Sequence, residues 1–146
     1  MRIYLDMCSI QRPMDDYSQP RVLREAEAVL EILARCEQGE VDLLDSDALR
    51  FEMERNPHPV RRGFVEEALT GAAEFVSVTG LIEQRARGYI QGGMKPLDAL
   101  HLASAVEGGA AYFCTCDDKL LRRARKADTG ATRPVSPLEL SEEIVP

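Results

Sequence analysis

Residues 95–117 read KPLDALHLASAVEGGAAYFCTCD, and this stretch decides the fold. Pro96 suits a first helical position, where its missing N–H costs nothing. Leu97 to Val106 is then strongly apolar. The helix it predicts is apolar on most of its surface and packs within the protein. Gly108-Gly109 ends it. Residues 111–115 follow as a strand, and that strand leads to Asp117.

The same alternation continues on both sides. Arg2-Ile3-Tyr4-Leu5-Asp6 predicts a short buried strand over residues 2–6, and residues 9–19 a loop of turn formers around Pro13, Asp15 and Asp16. Pro20 opens a long helix in which Val22, Ala26, Val29, Leu30 and Leu33 recur at helical spacing, with Arg24, Glu27, Glu31 and Arg35 opposite and Gly39 as the stop. Glu25 borders that apolar stripe and can reach inward. Residues 41–44 form a second strand, and Ser46 is a helix N-cap with Asp47 in the first turn. That helix carries Leu49, Glu52 and Met53 and stops at Asn56-Pro57. Helices over 60–69 and 81–90 bracket a strand at 75–78. A basic helix over 120–127, a strand about Val135 and a helix opened by Pro137 complete the chain. Strands alternating with helices predict an α/β fold, with a mostly parallel sheet of four to five short strands covered on both faces. One domain over residues 1–146 is expected.

Composition bounds the function. Hydrophobic residues make up 45% and charged residues 29%, as in an ordinary soluble globular protein. The formal net charge of -7 is unusual for a nucleic-acid binder, because phosphates are held by Lys and Arg. Either the acids gather around a metal and leave basic patches elsewhere, or nucleic acid is not the partner. Cys8, Cys36, Cys114 and Cys116 show no CxxC spacing, so buried free thiols in a reducing compartment are expected. The start meets Asp6 too soon for a signal peptide, and no apolar run reaches the roughly 20 residues of a membrane span. A cytoplasmic protein is the expectation.

Four acids stand out. Asp6 and Asp117 lie at the carboxyl ends of predicted strands, where ligands bind in open α/β sheets. Asp98 occupies the first turn of the apolar helix, and Glu52 lies in the helix capped by Ser46. Carboxylates beside a core are costly unless neutralised, and hard divalent cations take oxygen ligands. His101 shares a helix face with Asp98; a hydrogen-bonded core histidine is the expectation, with a metal ligand or proton carrier as the alternative. Thr115 and Asp117 share one side of their strand, and Asp118 is expected to cap the helix that follows. Lys119, Arg122, Arg123, Arg125 and Lys126 form a basic run that is either a solvated face or a phosphate contact, and Arg61-Arg62 form another. Arg12, in the loop after Asp6, can touch a phosphate.

Tyr4-Leu5-Asp6 with Cys8-Ser9, Ser46-Asp47-Ala48-Leu49-Arg50-Phe51-Glu52, Asp98-Ala99-Leu100-His101-Leu102-Ala103 and Phe113-Cys114-Thr115-Cys116-Asp117 occur in an order and spacing that resemble the PIN-domain family of metal-dependent ribonucleases. That family includes the toxins of VapC-type toxin–antitoxin pairs. The resemblance implies a three-layer α/β/α sandwich, with Asp6, Glu52, Asp98 and Asp117 binding one or two Mg²⁺ or Mn²⁺ ions, Ser9 and Thr115 supporting them, and Arg12, Lys119, Arg122 and Arg123 near the RNA. It implies an RNA substrate, a small antitoxin partner and a homodimer. Met7 stands where the family often has Thr, and Cys8 where Ser or Asn is common. Neither change removes a carboxylate.

An aspartyl-phosphate phosphatase would need a second Asp two places after Asp6, where Cys8 stands, and a receiver domain would need an acid pair near the first strand. The remaining rival is a PIN-fold domain that binds RNA or a protein without cutting.

Overall fold

The computed structural model describes residues 1–144. Its centre is β1 (Arg2–Leu5), whose Ile3, Tyr4 and Leu5 are fully buried. A strand apolar on both faces needs cover on both faces, and its neighbours supply it. In chain order they are α1 (Met7–Ile10), α2 (Pro20–Glu37), β2 (Asp42–Ser46), α3 (Asp47–Glu54), α4 (Pro59–Thr70), β3 (Glu74–Val76), α5 (Gly80–Gln91), α6 (Pro96–Glu107), β4 (Tyr112–Cys114), α7 (Asp118–Lys126), β5 (Arg133–Val135) and α8 (Pro137–Glu143).

The sheet has five strands in the order β3-β2-β1-β4-β5, every pairing parallel. Ile3 registers with Leu43 on one side and Tyr112 on the other. The order turns at β1: the chain builds outward through β2 and β3, then crosses back to β4 and β5. Helices form the outer layers of this α/β/α sandwich. α2 packs with α8, α6 packs with α5 and α3, and both α6 and α8 rest on β4. As its composition predicts, α6 is buried along most of its length, at Ala99, His101, Leu102, Ala103, Ser104 and Ala105.

Three local expectations need correction. Residues 9–19 are not all loop: α1 covers Met7–Ile10, and a 3-10 turn follows at Arg12–Met14. One helical turn is too short to show a period in sequence. On α2 the buried stripe runs through Val22, Ala26, Val29, Ile32 and Cys36, whereas Leu30 is 47% exposed. Asp117, not Asp118, caps α7, its side chain accepting the N–H groups of Lys119 and Leu120. Asp118 instead pairs with Arg21.

The turn between α6 and β4 allows no side chain. Gly109 has φ +74°, and a Cβ on Gly108 would meet Ser104 O and Val76 Cγ2, each at 2.8 Å. Relief of chain entropy normally makes Gly→Ala worth about 0.4–1 kcal/mol of stability where the backbone permits it. At Gly108 the clash should outweigh that gain. Gly108→Ala is expected to lose about 1–3 kcal/mol, the usual range for overpacking, in urea unfolding. An unchanged midpoint would mean that the turn yields.

Candidate active site

A cavity of about 270 Å³ opens beyond the carboxyl ends of β1 and β4, lined by Asp6, Cys8, Glu52, Asp98, His101 and Asp117. It lies at the turning point of the strand order, where open α/β sheets bind their ligands. A larger cleft of about 570 Å³, between Leu81, Tyr89, Met94 and Lys126, contains none of these acids.

Each acid reaches the cavity by a different route. Asp6 follows β1 directly and caps α1, its Oδ1 accepting the Ser9 N–H at 3.0 Å and the Cys8 thiol at 3.1 Å. Asp117 leaves β4 two residues after Thr115, whose hydroxyl accepts its N–H at 3.0 Å. The Asp117 Oδ1 then caps α7. Asp98 enters from the first turn of α6 and makes no side-chain hydrogen bond among the described residues. Glu52 enters from α3, its Oε1 bonded to His101 Nε2 at 2.7 Å. The bonds on Asp6, Glu52 and Asp117 thus fall on one oxygen apiece, and the other is left for the cavity.

Glu52 is held by a chain of buried groups. His101 Nδ1 lies 2.7 Å from the Tyr4 hydroxyl, which lies 2.7 Å from Ser46 Oγ. Ser46 Oγ accepts the Leu49 N–H that it caps. A carboxylate only accepts, so Nε2 donates to Glu52. The chain of contacts runs from the α3 N-terminus, through β1 and α6, and back to α3. His101 is therefore the hydrogen-bonded core residue expected from its setting, 2% exposed, with its second nitrogen aimed at a cavity acid. Its partner Tyr4 was missed. The polar end of a Tyr in a buried strand was the only available signal.

Electrostatics separate the cavity from the rest of the interior. The other buried acids are neutralised: Glu25 by Arg12 at 2.7 Å, and Asp45 by Arg50 at 2.6 Å. Asp6 is equally buried and has no basic side chain within ion-pair distance among the described residues. Burial pushes its carboxyl up, with Thr115, Cys8 and Ser9 partly holding it down. Burial also raises Asp98, and the neighbouring charges of Asp6 and Asp117 add to that. The bond to Cys116 and burial push the Cys8 thiol well up, so it stays a donor to Asp6. Burial raises Cys36 to about 11 and Cys114 well above the ordinary thiol value. All four cysteines are free.

The supporting residues act differently from one another. Ser9 helps Asp6 through its backbone; its hydroxyl turns to Cys114 O at 3.3 Å. Thr115 accepts the Asp117 N–H and lies 3.6 Å from the Cys8 thiol that donates to Asp6. Arg12 lines the cavity but is held by Glu25 and Asp15. Lys119 and Arg122 are exposed on α7, while Arg123 lines the other cleft.

An all-oxygen donor set, whose buried Asp6 has no basic side chain within ion-pair distance among the described residues, suits a hard divalent cation. The spacing is open, however: among the described residues no three His, Cys, Asp or Glu side chains stand close enough together to hold an ion as placed. Among the four acids, Asp98 is half-buried and has no side-chain hydrogen bond among the described residues, and Asp117 is exposed.

No family model matches the chain, and no curated protein matches it in sequence. Solved structures do match in shape. The crystal structure of VapBC2 from Rickettsia felis bound to a DNA fragment from their promoter aligns with a TM-score of 0.61 at 10% identity, over 93% of this chain and 98% of that one. PAE2754 from Pyrobaculum aerophilum aligns with a TM-score of 0.57 at 13% identity, over 99% and 98%. At these identities the likeness establishes the fold.

Two measurements probe the site. Tyr4→Phe leaves His101 Nδ1 and Ser46 Oγ short of a buried partner, and should cost about 1–3 kcal/mol in urea unfolding; no loss would mean that the chain is not a structural tie. The raised Asp98 carboxyl binds its proton more tightly folded than unfolded, so its contribution to stability falls as pH rises from 3.8 through the raised value. Asp98→Asn should therefore raise the melting temperature of the metal-free protein above wild type, by a margin that widens from pH 4 to pH 7. A margin that narrows would contradict the sign.

Proposed function

We propose that the chain is a Mg²⁺- or Mn²⁺-dependent endoribonuclease of the PIN type, acting as the toxin of a toxin–antitoxin pair. The observation that carries this reading is Asp6, a buried acid that no basic side chain neutralises, facing Asp98 and Asp117 across one cavity. Burying such a group is costly unless a cation joins it.

Asp6, Asp98 and Asp117, with the second oxygen of Glu52, would hold the ion. When bound, a divalent ion supplies Lewis-acid activation of water and neutralises charge developing on the phosphate. The protein's own part is orientation. His101 holds Glu52 in one rotamer, and α1 and α7 hold Asp6 and Asp117 through their caps.

The -7 charge does not exclude a polyanion, because three cations without a carboxylate partner lie close in sequence to the cavity acids. Arg2, Arg12, Arg21, Arg35, Arg50 and Arg61 are all paired with acids. Arg55, Lys95 and Lys119 have no such partner among the described residues, and each lies two or three residues from a cavity acid. Phosphate contacts need cations of this kind. Lys119 and Arg122 keep their expected role here, and Arg123 a more remote one.

The shape shared with VapBC2 supports an antitoxin partner. In this reading the antitoxin places a basic residue among the acids, and the protein works as a homodimer in the cytoplasm. Among the described residues no helix is long and apolar enough to cross a membrane. The open spacing of the acids favours one rival, a PIN-fold domain that binds RNA or a protein without cutting.

The deciding experiment is direct. Mg²⁺ or Mn²⁺ at about 100 times its dissociation constant should stabilise the wild type by about 2.7 kcal/mol and switch on RNA cleavage. Asp98→Asn should lose both effects while staying folded. Stabilisation by metal with no cleavage of any RNA would leave only the binding domain.

A further inference from the structure

Beside the carboxylate cavity lies a second trough of about 460 Å³, and the two share Met7 and Glu52 as a common wall. Its rim is formed by Gln11, Arg55, Asn56, His58 and Arg61. The volume lies within the roughly 300–1,000 Å³ of small-molecule clefts. None of these residues belongs to the proposed metal set.

The rim is built and ordered. Asn56 Nδ2 donates to Gln11 Oε1 at 3.2 Å, and Asn56 Oδ1 accepts the His58 N–H at 3.0 Å, so both amides are oriented. Pro57 and Pro59 flank His58 and restrict the turn. Arg61 is anchored to Asp15 at 2.7 Å and to Met14 O. Arg55 differs: it is exposed and unpaired with any carboxylate among the described residues, and its guanidinium lies 4.2 Å from the centroid of the half-exposed Phe51 ring. The stack restrains the guanidinium while leaving its charge free. Bases of unpaired nucleotides stack on arginine planes of this kind, and phosphates pair with the same group.

We propose that this trough is a substrate subsite for one unpaired nucleotide flanking the scissile phosphate, with Arg55 as its phosphate and base contact. The subsite deepens the ribonuclease reading and rests on it for the position of the phosphate. The wall shared with Glu52 sets the order: phosphate at the carboxylates, neighbouring nucleotide against Arg55. Double-stranded RNA keeps its bases stacked inside the helix and cannot offer one to the trough. The trough therefore discriminates at one position, between an unpaired and a paired neighbour of the scissile phosphate.

The test uses the full chain with Mg²⁺ and a short fluorescent single-stranded oligoribonucleotide. Binding is read by anisotropy across a salt series with Ca²⁺, a hard cation for the same oxygen ligands, in place of Mg²⁺, and cleavage with Mg²⁺. Arg55→Ala should weaken binding about tenfold, lower the slope of log affinity against log salt by about one, and raise KM more than it lowers kcat. The metal-dependent melting shift should not change. Arg55→Lys should keep the salt slope and recover only part of the affinity. Arg87→Ala, on the exposed face of α5, controls for general loss of charge. If the parent protein cuts RNA but Arg55→Ala behaves like Arg87→Ala, the subsite is wrong and the nuclease reading survives. If the parent binds RNA through Arg55 without cutting, the subsite stands and the nuclease reading falls. A parent that neither binds nor cuts removes both, and equal loss for a duplex of the same sequence overturns the assignment to an unpaired nucleotide.

Discussion

The buried hydrogen-bond chain from Ser46 through Tyr4 and His101 to Glu52 is the tie on which the arrangement depends. It joins β1, α3 and α6, elements that carry or directly precede three of the four cavity acids. Each link is 2.7 Å long, and Glu52, which only accepts, ends the chain. Partly satisfied networks in a core are worse than none, whereas filled ones specify one arrangement. The Tyr4 ring also packs against Phe113 at 5.9 Å, so the polar tie and the apolar core share one side chain. Placing Glu52 correctly and packing β1 correctly are therefore a single condition.

A second constraint is the placement of charge. The chain neutralises its buried acids wherever they are structural, with Arg12 on Glu25 and Arg50 on Asp45. It leaves them unneutralised at the mouth of β1 and β4. Arg12 shows the contrast at one residue. It lines the carboxylate cavity, yet its guanidinium is turned to Glu25 and Asp15. The cavity stays open to an outside cation because the nearest internal one is already engaged. Arg55, Lys95 and Lys119, each within three residues of a cavity acid, have no carboxylate partner among the described residues.

Much of this was legible in the sequence, and the reasons are physical. Pro96, Ser46 and Gly108-Gly109 are start and stop signals that act locally, so they mark their elements to within a residue or two. Alternating strands and helices led to a parallel sheet because parallel strands require crossovers. The acids at strand ends were visible because strand ends are where the sequence turns from apolar to polar. What escaped was non-local or too short. The His101–Tyr4 bond spans 97 positions, and no periodicity reports a partner that far away. The bond that orients Glu52 joins it to His101, 49 positions away. The choice between Asp117 and Asp118 as the α7 cap depends on where β4 ends, the least reliable quantity in a sequence reading.

The α7 cap has a consequence for the chemistry. Asp117 caps α7 with one oxygen, at the positive end of the helix dipole. It is also held in direction by the Lys119 and Leu120 N–H groups. Asp6 is held in the same way by Ser9 N–H over a single turn. Two of the cavity acids are therefore orientated by the backbone, a third by His101, and only Asp98 is free to move. Such a set is preorganised on three sides and adjustable on the fourth. Three of the four directions are thus set by contacts that folding itself makes, and the fourth is left to one unbonded side chain at a helix start.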